Sequence, residues 1–386
     1  MTGFSDVRIH PGSFGRMVDA IVKELGGYVN FHAHVDRDNT LDPLYLAHHR
    51  LITPLQAASA PLAEKQNLTG ELHKGRAYQD LGDLRTRISS HLDEMVCSGA
   101  REVVSFIDAT PDIGLSAIET AAELREKYKG KISFKIAAHP IFGFKEDRQY
   151  NESRFDVFVK ACRVADIVGA LPEKDDRPDS VGFAEHLKLV LRIGYKYAKP
   201  VHVHCDQDND FRQRHTLDLI EAMRWVECSD PQDDGTPMVW NVHAISPAAY
   251  NEERFRSVLN GLKKHNVGVV VCPSAALSMF QNRAQNGPTR NSIARVFEMA
   301  YFGIPIRIGT DNVNDMYVPA TPPSVLFEIL TLANALRFYD PYVLAKFAAG
   351  ITLNQTDIAI IRRHLIECER RYKAEDPNFK LCVDLE

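Results

Sequence analysis

The chain has 386 residues, of which 45% are hydrophobic, so it is long enough for one large barrel or two ordinary domains. Its formal net charge of -5 indicates neither a nucleic-acid partner nor attraction to an anionic membrane. The 7 cysteines are scattered without a C-x-x-C pair, which argues against a disulfide framework and against a zinc ribbon. We expect a small molecule as the partner, with self-association left open.

The first thirty residues carry several charges and no apolar stretch of the kind found in secretory signals. Nowhere in the sequence do enough apolar residues run together for a membrane span. Together with the cysteine pattern, which favours a reducing compartment, these features predict a soluble, cytoplasmic protein.

Short apolar runs alternate with amphipathic stretches along the chain, as in proteins whose parallel strands are covered by helices. The predicted strands are residues 27–35, 102–108, 132–138, 167–171, 201–205, 239–244, 267–272 and 306–308. Helices are predicted at residues 14–25, 81–97, 116–128, 185–197, 254–265 and 356–372. Eight strands with intervening helices predict the α/β class and a (β/α)8 TIM barrel.

We expect a single domain over residues 1–386, with a core of about residues 27–355 and a helical tail over residues 356–386. The segment of residues 38–79, between the first strand and its helix, is too long for a bare connection. We predict that it folds over the barrel mouth and contacts the substrate.

Histidines and one aspartate stand at the ends of four predicted strands. His32 and His34 are two positions apart, so they share one face of the first strand. His204 ends the fifth strand, His243 the sixth, and Asp311 follows the eighth. Alone, the first pair would suit two satisfied polar residues at a strand end. His204, His243 and Asp311 also stand at the carboxyl ends of strands, where TIM barrels carry their chemistry. The full set therefore predicts a site for a divalent metal ion.

These residues and their surroundings resemble the amidohydrolase superfamily, within it the cytosine deaminase branch that includes N-isopropylammelide aminohydrolases. The resemblance runs from about residue 28 to about residue 354. It includes NFHAHVD at residues 30–36, LAEK at 62–65, VADIVGALP at 164–172, VHVHCD at 201–206, GTDN at 309–312 and YVP at 317–319.

The resemblance implies one Zn²⁺ or Fe²⁺ ion held by His32, His34, His204 and Asp311. It further implies that Asp311 is the general base for a metal-activated water and that His243 polarises the group under attack. The expected reaction is hydrolysis of a C–N bond in an N-heterocycle or cyclic amide, by deamination, dealkylamination or ring opening, in the EC 3.5 class.

Two positions depart from the cytosine deaminase pattern. Gln207 stands where those enzymes have a glutamate that shuttles a proton, and an amide does not shuttle protons. Ile141 stands where they have a glutamine that binds the pyrimidine edge. Cytosine is therefore not the expected substrate, although we count Gln207 among the catalytic positions. We expect His139, Ile141 and Asn312 to line the substrate pocket.

Many relatives flank the barrel with a β-sandwich. This sequence leaves no room for one before the first metal strand, and we expect a barrel without a sandwich.

The main alternative function is that of a decarboxylase of the same superfamily, which uses a similar His/Asp set on carboxylated substrates. A further alternative is a non-catalytic ligand binder.

Basic residues are candidates for two further roles, a bridge between two metal ions and a contact to the substrate. Lys174 would bridge two metals if carbamylated, but its acidic neighbours favour a solvated loop and a single ion. A substrate carboxylate or carbonyl would suit an arginine at the barrel mouth. The sequence does not choose among Arg37, Arg212, Arg283 and Arg290.

Overall fold

The computed structural model describes residues 12–47, 52–145, 150–226, 232, 235–280 and 291–385. Its eight strands are parallel and neighbour one another in chain order, and a bridge between Ala33 and Asp311 joins the two edges of the sheet. The strands are β1 Tyr28–Ala33, β2 Ala100–Asp108, β3 Ser133–His139, β4 Ile167–Ala170, β5 Val201–Cys205, β6 Val239–His243, β7 Val267–Val271 and β8 Ile306–Ile308. The predicted α/β class and TIM barrel are confirmed.

Helices surround this barrel. They are α1 Ser13–Glu24, α2 Pro54–Ala57, α3 Leu62–Lys74, α4 Arg76–Gln79, α5 Leu81–Cys97, α6 Ser116–Tyr128, α7 Arg154–Val164, α8 Phe183–Tyr197, α9 His215–Val226, α10 Glu252–Lys264, α11 Pro273–Leu277, α12 Val296–Tyr301, α13 Val325–Leu336, α14 Pro341–Ala348 and α15 Gln355–Glu375. All strands in the described ranges belong to the barrel, so no second sheet flanks it there. None of the helices described has both the length and the apolar character needed to span a bilayer.

Capping side chains explain where several of these helices begin. Asp80 accepts hydrogen bonds from the backbone N–H groups of Gly82 and Asp83 at the start of α5. Asn354 and Asp357 form a capping box at the start of α15. Such caps satisfy backbone donors that the first turn of a helix leaves unpaired. The predicted bounds of α5 agree with the structure for this local reason, and those of α6 agree as well although no side chain caps its first turn.

One extra residue in β1 decides which side chains enter the barrel. Two β1 residues that are three positions apart pair with β2 residues that are two positions apart, which is a β-bulge. The ring of Phe31 stacks on His202 at 5.2 Å, and the ring of His32 lies 4.9 Å from that of His204. Because His202 and His204 share one face of β5, both Phe31 and His32 lie inside the barrel.

The seam between β1 and β8 is held by side chains as well as backbone. The Asn30 amide donates to the Thr310 hydroxyl at 2.9 Å and its carbonyl accepts from the Thr310 N–H at 3.1 Å. The Asp311 N–H donates to the His32 carbonyl at 3.0 Å. Gly309 permits this approach, because a Cβ there would lie 2.6 Å from the Cβ of His32. The seam therefore brings Asp311 beside His32.

Residues 34–80 connect β1 to α5 and form an excursion from the barrel, which Arg87 fixes in place. Its guanidinium donates to the carbonyls of Asp36 and Asp38 at 2.7 and 3.1 Å and to that of Ala77 at 2.5 Å. These three carbonyls come from both ends of the excursion. Because Arg87 is buried, water does not compete for these charge-assisted bonds.

A buried polar cluster connects the excursion to β2 and β3. The Asp108 carboxylate accepts from Tyr78 at 2.9 Å, and it lies 3.1 Å from His73 Nε2 and 2.7 Å from His139 Nδ1. His73 Nδ1 contacts Asp112 at 2.8 Å. Burial alone lowers the pKa of His73, but its bonds to Asp108 and Asp112 outweigh burial and raise that pKa to about 9.

Replacing Asn30 by alanine should destabilise the fold. The change leaves the Thr310 N–H without its partner and removes the donor to the Thr310 hydroxyl, in a fully buried seam. We expect the free energy of unfolding, measured with urea, to fall by about 1–3 kcal/mol. Asn378→Ala, at an exposed position, is the control and should change it by less than about 0.5 kcal/mol. Equal stability of the two variants would contradict the seam's role.

His73→Gln should make stability depend less on pH. A histidine whose pKa is raised on folding stabilises the protein fully below its unfolded pKa and loses that effect as pH rises through about 9. The variant should therefore lose up to about 3 kcal/mol of unfolding free energy at pH 6 and much less at pH 9.5. His265→Gln is the control, because burial lowers the pKa of His265 instead. A loss for His73→Gln that is the same at both pH values would contradict this assignment.

Candidate metal centre and its cavity

The predicted histidines and aspartate come together at the carboxyl end of the barrel. Nε2 of His32 and of His34 lie 3.4 and 3.3 Å from one carboxylate oxygen of Asp311. Nε2 of His243 lies 3.9 Å from the other oxygen. The ring of His204 lies 4.9 Å from His32 and 5.3 Å from His243. The structure thus brings together all five residues, which come from four separate parts of the sequence.

The donor atoms of this cluster fit a cation. Both ring nitrogens of His32 and of His243, and Nδ1 of His34, are buried without a hydrogen-bond partner. Buried polar atoms normally have a hydrogen-bond partner or another ligand, so we expect a bound group at these nitrogens. Nδ1 of His204 lies 3.0 Å from the Ala170 carbonyl, and donation to this carbonyl leaves Nε2 with its lone pair facing the cluster. Imidazole nitrogens and a carboxylate oxygen are suitable ligands for Zn²⁺ or Fe²⁺.

Burial sets the charges of the cluster. It lowers the pKa of His243 to about 4 and holds the pKa of His34 and of His204 well below the ordinary value. Burial alone would raise the pKa of Asp311, but the imidazoles of His32 and His34, whose Nε2 atoms lie within 3.4 Å of its carboxylate, hold that pKa well below its usual range. Neutral imidazoles beside an ionised carboxylate are the states in which these groups bind metal ions.

The backbone turns sharply at the strand ends that present the cluster. Asp311 has φ 59° and His243 has φ 83°, and Ala244 and Asp206 are also in the left-handed region. Non-glycine residues rarely adopt such values, and those that do cluster at functional sites. At Asp206 the turn has a further use, because its carboxylate accepts the N–H groups of His215 and Thr216 where α9 begins.

A cavity of about 190 Å³ opens above the cluster. Gln207, His139, Ile141 and Asn312 line it, together with residues between 58 and 66 of the excursion. Its size is below the range for drug-sized ligands and suits a small molecule. The side chain of Asn312 donates to Asp311 at 3.0 Å, which orients the carboxylate. Gln207 Nε2 is buried without a partner and is therefore available to a ligand.

Lys174 does not lie in a solvated loop. It belongs to a short 3₁₀ turn, Pro172–Asp175, and only 8% of it is exposed. The expectation from its acidic neighbours was wrong because Asp175 is itself buried, where it contacts His186 at 2.6 Å. Lys174 does not line the cavity above the cluster.

The arginines at the mouth differ in position. Arg37 is buried and lines the cavity, whereas Arg212 is exposed and pairs with Asp210 at 2.5 Å. Arg283 and Arg290 lie outside the described residues.

Two neighbours of the site were not singled out from the sequence. Lys65 of α3 lines the cavity, although nothing in its motif marked it as a site residue. Cys272, which follows β7, lies with His243 and Asp311 in a group whose ligand atoms are within 4.8 Å of one another. Burial raises the pKa of the Cys272 thiol well above its usual value. No spacing signal marks either residue, because each reaches the site through tertiary packing.

Comparison with known proteins agrees with this architecture. No protein-family model matches the chain. An uncharacterised protein of Haemophilus influenzae is 26% identical over 296 residues, which cover 76% of this chain and 97% of that protein.

Among solved structures, 5-methylcytosine deaminase of Klebsiella pneumoniae, liganded with 5-fluorocytosine, superposes with a TM-score of 0.69. It is 18% identical, over 87% of this chain and 74% of that chain. N-isopropylammelide isopropylaminohydrolase of Burkholderia multivorans gives 0.60 at 16% identity, with the same two coverages of 87% and 74%. Atrazine chlorohydrolase of Arthrobacter aurescens, complexed with zinc, gives 0.53 at 17% identity, over 87% of this chain and 70% of that chain. All three belong to the amidohydrolase superfamily, and this chain has the same barrel fold as these three structures.

Proposed function

We propose that the protein is a metal-dependent hydrolase that breaks a C–N bond in an N-heterocycle or a cyclic amide. The observation that carries the proposal is the convergence of His32, His34, His204, His243 and Asp311, with unpaired buried nitrogens, beneath a small cavity. The similar folds of a cytosine-type deaminase and of an aminohydrolase acting on N-isopropylammelide support the same class of reaction.

His32, His34, His204 and Asp311 would hold one Zn²⁺ or Fe²⁺ ion. Such an ion lowers the pKa of a bound water from about 15.7 to about 7, which makes a nucleophile available at neutral pH. His204 is fixed for this role by its bond to the Ala170 carbonyl, and Asp311 by the Asn312 amide. These second contacts define the orientation of the ligands before substrate binds.

Asp311 serves as the general base. Its carboxylate accepts a proton from the attacking water and returns that proton to the leaving nitrogen. The Asn312 amide bonds one carboxylate oxygen, Oδ1, at 3.0 Å, so the other has more freedom for proton transfer.

His243 stabilises the charge that develops on the substrate. Its Nε2 lies at the cluster and has no hydrogen-bond partner, so it is available to an oxygen or ring nitrogen of the substrate. A preorganised donor in a buried site costs no reorganisation when the charge appears.

Gln207 distinguishes this site from cytosine-type chemistry. Its amide lines the cavity and offers a hydrogen bond, but it neither takes up nor releases a proton. Substrates that require protonation of the ring nitrogen by a glutamate are therefore disfavoured. Release of a leaving amine or opening of a cyclic amide, with Asp311 alone carrying the proton, suits this set of residues.

Metal content and nitrogen release together test the proposal. The wild-type protein should contain about one Zn or Fe per chain by elemental analysis, and His32→Ala and His204→Ala should lose most of it together with turnover. His202→Gln is the matched control and should keep the metal, because His202 precedes His204 by two positions in β5 and its ring stacks on Phe31. Ammonia or amine should be released from at least one compound in a panel of aminopyrimidines, triazines and cyclic amides.

Each outcome of that experiment is decisive. Full metal content in His32→Ala or His204→Ala would remove that residue from the ligand set. A wild-type protein without metal would overturn the proposal. Carbon dioxide release from a carboxylated substrate, without loss of nitrogen, would assign the site to a decarboxylase instead.

Gln207→Glu should add weak deamination of a cytosine-like ring. The carboxylate would supply the proton transfer that the amide does not provide, and general acid–base catalysis typically contributes about 10²–10⁴-fold. Ammonia release from cytosine across pH 5–9 is the measurement, with Gln207→Met as the control of similar size. No gain for Gln207→Glu at any pH would show that the cavity walls, rather than the shuttle, exclude cytosine.

A further inference from the structure

We infer that the substrate carries a negatively charged group, such as a carboxylate, which Lys65 and Arg37 bind at one wall of the cavity. This inference rests on the proposed function, because it concerns the cavity above the same cluster. It names the class of substrate that the proposed reaction takes.

The two cations belong to one continuous wall that begins at the metal cluster. Asn312 donates to Asp311 at 3.0 Å and accepts from Arg37 Nη2 at 3.4 Å. The Arg37 guanidinium lies over the ring of Tyr317, 5.0 Å from its centre. Lys65 Nζ donates to the Tyr317 carbonyl at 2.9 Å. A ligand that reaches Asp311 along this wall therefore also meets both cations.

Lys65 is a buried cation whose charge is not matched by an ion pair. Only 6% of the residue is exposed, and the bond that its ammonium makes among the described residues goes to a neutral carbonyl rather than to a carboxylate. Asp315, which acts on it electrostatically, accepts the N–H groups of Tyr317 and Val318 instead. The ammonium has three donors, of which one is used by the Tyr317 carbonyl. Burying an unmatched ammonium is costly, so an anion at this wall would be strongly favoured.

Arg37 offers further donors at the same wall. It is 2% exposed, and within the described part of the chain its Nε and Nη1 have no hydrogen-bond acceptor. Its contact with Asp108, at 3.6 Å from Nη1, is long for a hydrogen bond. Asp108 instead contacts His73, Tyr78 and His139 more closely. The guanidinium fork matches a carboxylate in shape as well as in charge.

Among the described residues that line the cavity, the charged side chains have one sign apart from the cluster itself. The cationic side chains in its lining are Arg37 and Lys65, and the acidic one is Asp311, which faces the imidazoles. A divalent ion at the cluster adds further positive charge. A neutral heterocycle would leave Lys65 unmatched, whereas one with a carboxylate would balance it.

A binding experiment with matched ligands tests the inference. The metal-loaded protein is titrated by calorimetry with orotate and with uracil, which share a ring and differ in one carboxylate. We expect orotate to bind about tenfold or more tightly than uracil. Lys65→Met, which keeps the apolar stem, should weaken orotate binding by about 10–100-fold and change uracil binding less than about twofold.

Two control variants separate charge recognition from structure. Lys65→Arg keeps the cation and should retain most of the preference for orotate. Lys174→Met removes a buried lysine outside this cavity and should leave the affinity for both ligands unchanged. Metal content and the melting temperature of every variant are measured alongside, so that a misfolded variant is recognised. If Lys65→Met does not fold, Lys65→Gln, which also removes the charge, takes its place in the test.

The outcomes distinguish this inference from the proposed function. Equal binding of orotate and uracil, tighter binding of uracil, or binding of neither would overturn it. Equal weakening of both ligands by Lys65→Met would show that Lys65 only holds the Tyr317 loop, which also overturns it. Lys65-dependent orotate binding in a protein that releases carbon dioxide and no nitrogen would support the inference while the proposed hydrolysis fails.

Discussion

Closure of the barrel between β1 and β8 is the constraint on which the site depends. The Asn30 side chain pairs with Thr310, and the Asp311 N–H pairs with the His32 carbonyl, across 280 residues of sequence. This closure brings the Asp311 carboxylate within 3.4 Å of two imidazoles. The absence of a side chain at Gly309 allows His32 to approach β8, and the bulge in β1 accompanies the inward position of His32.

Unmatched buried groups connect this architecture to chemistry. Ring nitrogens of three histidines, the guanidinium of Arg37 and the ammonium of Lys65 are all removed from bulk water without full compensation inside the protein. Folding tolerates such groups at a cost, and that cost is recovered when a ligand completes them. In our two proposals, a metal ion would complete the histidines and an anionic substrate would complete the cations. The cost of burying groups without partners therefore underlies both proposals, one at the metal cluster and the other at the wall that contains Arg37 and Lys65.

Specificity and reactivity lie on different parts of the barrel. In the proposed reaction the strand ends would supply the groups that act on the scissile bond, whereas Lys65 comes from α3 in the excursion over the mouth. Arg87 and the cluster around Asp108 hold that excursion against the strands, so its position is defined before substrate arrives. A fixed excursion presents its cation at a constant distance from the metal ligands, which favours one shape of substrate.

Local sequence determined much of this protein. Apolar runs of strand length, amphipathic helices with capping residues, and a His-x-His pair at a strand end predicted the barrel and the members of the cluster, because these signals depend on neighbours in sequence. The burial of Lys174, the bulge in β1 and the cavity position of Lys65 were decided by tertiary structure. Each arises from contacts between distant segments, such as Lys65 with Tyr317 or Asn30 with Thr310, for which the sequence carries no periodic signal.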